Sequence, residues 1–79
     1  ADNVLLRGVR RIPQRAPDMV LAVGQWRYWV EDLGSAVDYR WRVIEMHRDS
    51  DRWDYIHSDV SKTEAAAWMQ TYVLERALS

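Results

Sequence analysis

The sequence predicts an α+β fold, a three- or four-stranded antiparallel sheet with a C-terminal helix packed on one face. Two observations carry this. Around Trp26–Glu31 and Tyr39–His47 the side chains alternate in the way half-buried strands require. From Ser61 onward the pattern becomes helical, opened by Ser61 and Glu64 at capping-box spacing. A chain of 79 residues allows one domain with a small core.

Residues 1–18 read as a basic N-terminal segment, an irregular arm or an edge strand. Gly8 interrupts its periodicity, and Pro13 and Pro17 exclude a regular helix or central strand across the residues between them. Residues 19–58 are expected to form the sheet. "MVLAVGQWRYWVED", Met19 to Asp32, is β-like throughout, with Trp26, Tyr28 and Val30 on one face and Arg27, Trp29 and Glu31 on the other. "LGSAVD" is the connection, turned at Gly34. Tyr39 to His47 is the next strand: Tyr39, Trp41 and Val43 point one way and Arg40, Arg42, Ile44 and Met46 the other. A polar hairpin turn near Ser50 leads into a third strand, Trp53 to His57.

Residues 61–78 are the helix. Val60 occupies the hydrophobic-staple position, and the alanine triplet suits helix propagation because alanine loses no rotamer freedom. Ala65, Ala66, Met69, Val73 and Ala77 make one apolar stripe, which Trp68 and Tyr72 widen; Glu64, Thr71 and Glu75 mark the wet side. Trp26, Tyr28, Val30, Trp41, Val43 and Tyr55 are expected to meet Ala65, Met69 and Val73.

Composition removes several function classes. With no cysteine there is no disulfide, no thiolate nucleophile and no cysteine zinc ligand. No apolar run exceeds five residues, against the roughly 20 of a membrane span, so no membrane partner is expected, and the lack of cysteine fits a reducing cytoplasm. No apolar leader core is present, so the chain is read as mature protein. The net charge is −1 but uneven. Arg7, Arg10, Arg11 and Arg15 stand against Asp2 in the first 15 residues, whereas residues 16–79 carry seven basic and eleven acidic groups. Such a body lacks the field of a dedicated duplex binder.

Chemistry-bearing patterns are weak, and no family signature is recognisable. His47 follows Glu45 on one face, half of an acid–base device, but it reads better as a residue bordering a turn. The acidic turn of Asp49, Asp51 and Asp54 places Trp53 and Asp54 where a calcium loop needs an oxygen ligand and a glycine. The three glycines are too far apart for a phosphate loop. No metal, cofactor or catalytic residue is assigned, and the chain is not expected to be an enzyme.

A single helix covers a single sheet face. The opposite face would carry Trp29, Arg40, Arg42, Ile44, Met46 and Ile56, with Trp53 beside the hairpin tip. Its cover is either the N-terminal apolar residues Val4, Leu5, Leu6, Val9 and Ile12 or a partner. Aromatic, Met and Arg groups together favour a protein interface, so those seven residues are the candidate protein-binding set. The expected partner is another protein or a second copy of the chain, and the expected role that of a regulator or inhibitor that occludes a surface. The alternative is a nucleic-acid-binding module using Arg7, Arg10, Arg11, Arg15, Arg40 and Arg42, with sheet aromatics stacking bases. The aspartates around the strand ends count against it.

Overall fold

The computed structural model of the protein describes residues 19–79. Four strands, β1 (Leu21–Val23), β2 (Trp26–Asp32), β3 (Trp41–His47) and β4 (Trp53–Asp59), form an antiparallel meander in chain order. Helix α1 (Lys62–Leu78) packs across one face. The expectation of an α+β sheet with a C-terminal helix is met, with four strands rather than three.

The β-like stretch Met19–Asp32 is not one strand. Val23 pairs with Trp26, leaving Gly24 and Gln25 as a two-residue turn. Gly24 has φ 59° at the first central position, where a hairpin turn of this kind wants glycine. The β2–β3 connection is longer, and β3 begins at Trp41 rather than Tyr39. Beyond the β3–β4 turn the register runs from Met46↔Trp53 to Ile44↔Tyr55, then slips so that Val43 faces His57. Ile56 is the extra residue of a β-bulge.

The hairpin register, with Trp53 opposite Met46 and Tyr55 opposite Ile44, places two side chains, and the bulge then turns His57 to the helix side as well. Ile56 packs with the helix-side cluster, and Tyr55 joins Trp53 on the opposite face, the reverse of the alternation read from sequence. The helix-side core is otherwise as expected. Tyr28, Val43, Ala65, Met69 and Val73 are buried there, with Trp26, Val30, Trp41, Trp68 and Tyr72 packed around them. On the helix, Ala77 at the end of the expected stripe is exposed.

The helix starts where the sequence places it. Ser61 is the N-cap in extended backbone, and its Oγ accepts from the Glu64 N–H at 3.2 Å while its hydroxyl donates to Glu64 Oε1 at 3.3 Å. Val60 does not act as a staple; it is 61% exposed. Farther along, Glu45 on β3 ties helix to sheet by accepting from the Tyr28 hydroxyl at 2.7 Å and from Arg76 Nη1 at 3.4 Å. Arg76 also lies over the Trp26 ring, 5.0 Å from its centroid, which fixes the last helical turns to the start of β2.

Candidate interaction surface

The sheet is apolar on both faces. Opposite α1, Trp29, Ile44, Met46 and Trp53 form a second buried cluster with Tyr55 at its margin. Ile44 is fully buried and the other three are less than a tenth exposed. Four of the seven candidate protein-binding residues are therefore core rather than contact surface. Trp53, expected beside the charged turn as a contact residue, packs edge-to-face on Tyr55 at 5.2 Å. Ile56, a fifth, lies on the helix side. The proposed cover by Val4, Leu5, Leu6, Val9 and Ile12, and the basic set Arg7, Arg10, Arg11 and Arg15, lie outside the described residues.

Arg40 and Arg42 remain, and they lead to the β2–β3 loop. Asp32, the last residue of β2, accepts from the Gly34 N–H at 2.9 Å, the turn geometry that an aspartate two residues before a glycine favours. The same carboxylate receives a bidentate contact from Arg40, Nε to Oδ1 and Nη2 to Oδ2, each 2.6 Å. This pairing raises the Arg40 guanidinium above its ordinary value. The Leu33 N–H closes the loop on the Arg40 carbonyl at 2.8 Å, and the Val37 N–H bonds to the Gly34 carbonyl at 3.2 Å. Gly34 takes φ 100°, which a side chain would resist.

Tyr39 sits between these ties. Its φ is 52°, the left-handed region that bulky residues avoid, and it is the one non-glycine residue with positive φ among the described residues. Its carbonyl accepts from Arg42 Nε at 2.9 Å, and the Arg42 guanidinium lies over Tyr55 at 5.6 Å. The residue is 57% exposed, and Val37, two positions earlier in the same loop, 36%. Tyr39 therefore does not help to hold the helix, as alternation implied. It projects an aromatic ring from a loop pinned on both sides, and strain of this kind collects where a chain has a task beyond packing.

No family model, curated protein or solved structure matches the chain. The loop has to be read from its own chemistry.

Sequence reasoning missed Tyr39 because it treated the residue as part of β3. The available signal was Asp32-x-Gly34, which marks a shaped loop, followed by a charge complement in Arg40.

The other polar clusters are structural. Glu45 is held by Tyr28 and Arg76 rather than by His47, in keeping with the reading of His47 as a residue that borders the turn. His47 instead accepts from the Asp49 N–H and meets Trp26 edge-on at 4.9 Å. Burial, then the hydrogen bond to Glu45, pushes the Tyr28 phenol well above its ordinary value. His57 was not singled out by sequence. Its ring stacks on Trp68 at 4.1 Å, Trp68 stacks on Tyr72 at 5.0 Å, and its Nε2 lies 2.9 Å from Asp59 Oδ2. The bond to His57 holds the Asp59 carboxyl below the usual range. This stack joins the end of β4 to the helix.

Two further features bear on partner classes. The Tyr55 N–H is taken by Asp54 Oδ1 and the Val60 N–H by Asp59 Oδ1, so these donors on and just beyond β4 are closed to an added strand. Residues 19–79 carry seven basic against ten acidic groups, and Arg40 and Arg76 already face carboxylates. Among the described residues no helix is long and apolar enough to cross a membrane, and no cluster of His, Asp and Glu could hold a metal.

Proposed function

We propose that this chain is a small protein-interaction module acting by binding rather than catalysis, as a regulator or inhibitor that occludes a partner surface. Its contact is the β2–β3 loop, with Tyr39 as the anchor, Val37 in the same loop and Arg42 at the rim. The observation that carries the reading is an exposed tyrosine held at φ 52° by a loop closed through Asp32, Arg40 and Arg42. Tyrosine and arginine dominate interface hot spots because they combine large contact area with directed polar groups. A ring whose backbone is already fixed loses little further freedom on binding, which favours affinity.

The nucleic-acid alternative gains no support from the described residues. A guanidinium already paired with Asp32 offers less to a phosphate, and the surrounding charge is acidic.

Affinity capture from the native lysate tests the reading when wild type, Tyr39→Ala, Arg42→Ala and Asp51→Ala baits of equal foldedness are compared. Proteins retained by wild type and Asp51→Ala are expected to be lost from the Tyr39 variant and depleted from the Arg42 variant. Identical retention by all four baits contradicts it, as does retention that nuclease treatment abolishes.

A further inference from the structure

Helix α1 carries two exposed leucines on the side away from the sheet. Its inner side, Ala65, Met69 and Val73, is buried against the sheet. On the outer side Ala67, Thr71, Leu74 and Leu78 recur at alternating spacings of four and three, the seam of a two-helix contact. All four are exposed, Leu74 by 60% and Leu78 by 78%. A lone surface leucine needs no explanation, whereas two in line with two small residues form a stripe.

We propose that a second copy of this chain docks on this stripe as an antiparallel helix pair. The stripe is small toward the helix N-terminus and large toward its C-terminus. A two-fold axis between Thr71 and Leu74 therefore sets Leu78 over the partner's Ala67 and Leu74 over the partner's Thr71, large against small on both sides of the axis. Charge selects the same direction. A parallel pair in register would bring Glu64 against the partner's Glu64, whereas the antiparallel pair leaves Glu64 outside the overlap. Its flanks are then Gln70 with Ala77 and Trp68 with Glu75, so like charges do not meet.

Area sets the strength. Ala67 to Leu78 spans roughly 18 Å at the helical rise per residue. A contact of that length buries on the order of 400 Å² per copy, about half of what a standard stable interface buries. The dimer is thus weak and fast-exchanging, populated in the high-micromolar range and above. This goes beyond the loop reading and does not depend on it. It does have a consequence for the loop. Trp41 pairs with Asp59, two residues before the helix cap, so the loop lies at the N-terminal end of α1. Antiparallel pairing sets the two Tyr39 rings at opposite ends of the dimer, where they can engage two sites at once.

Sedimentation equilibrium from about 20 μM to about 1 mM covers the expected range. The weight-average mass of wild type is expected to rise toward twice the monomer value, while Leu74→Gln/Leu78→Gln stays monomeric with its melting temperature unchanged. The native chain has no cysteine, so mixing Ala67→Cys and Leu78→Cys single variants under oxidation reports direction. Mixed 67–78 disulfides are expected to exceed 78–78 and 67–67 species. A monomer at the highest concentration, association that survives the double variant, or predominantly like-with-like disulfides would each overturn the proposal.

Discussion

Replacing Tyr39 by glycine and, separately, by alanine isolates the backbone strain from the ring. Both variants lose the ring and whatever its buried part contributes. With 57% of the residue exposed, that part is on the order of 80 Å² and about 2 kcal/mol, and it cancels between the two. What remains is the Cβ. At φ 52° a side chain costs about 1–2 kcal/mol that glycine avoids. Glycine returns about 0.4–1 kcal/mol of this through its freer unfolded chain. The Tyr39→Gly variant is therefore expected to be more stable than Tyr39→Ala by roughly 0.5–1 kcal/mol, or about 2–8 °C in melting temperature for a domain this size. Urea titration followed by tryptophan fluorescence reads the difference. Positions with ordinary backbone give the opposite order, so an alanine variant equal to or more stable than the glycine variant refutes the strained-loop reading.

Three further outcomes follow from the packing and the charges. Ile44→Ala and Met69→Ala remove fully buried side chains from opposite sheet faces, and each is expected to cost about 2–5 kcal/mol in denaturant titrations; a loss under about 0.5 kcal/mol at Ile44 would make that face a surface after all. Tyr28→Phe takes the hydroxyl from Glu45 and is expected to cost about 1.5–3 kcal/mol by the same measurement, with near-neutrality showing that the tie is not made. Because the folded Asp59 carboxyl is depressed below its unfolded value, its contribution is complete above the unfolded range near pH 4 and is lost as pH falls through the folded value. His57→Gln is expected to flatten this acid limb in stability measurements between about pH 2 and 5; an unchanged limb would remove the His57–Asp59 bond as its cause.

Much of the fold was legible because its signals are local. Ser61 and Glu64 announce the helix start, and Ala65, Met69 and Val73 recur on one side of it. Alternation placed Trp26, Tyr28, Val30, Trp41 and Val43 on the helix face correctly. It failed in β4 because the hairpin register, with Trp53 opposite Met46, turns Tyr55 away from the helix and Ile56 toward it, and composition leaves no mark of that register. The Gly24–Gln25 turn was readable as a glycine-first two-residue hairpin but was submerged in a β-rich run. Tyr39 was misplaced for a related reason: as a strand-favouring residue it extends the alternation of β3 on paper, while Asp32 and Arg40 draw the backbone into a closed loop instead. The burial of Trp53 follows from the hairpin register, which sets Trp53 opposite Met46 and Tyr55 beside it on the face away from the helix. The candidate site was thus half visible, with its arginines in sequence and its aromatic anchor only in three dimensions.

The central claim is that Tyr39 touches a protein partner, and site-specific photocrosslinking in the native cell tests it most directly. A photoreactive phenylalanine analogue at position 39 is predicted to give a discrete protein adduct, weakened by Arg42→Ala and lacking when the same probe replaces Asp51 at the far hairpin. Equal adducts from both positions, an adduct to nucleic acid, or none from position 39 in a folded chain would contradict the account.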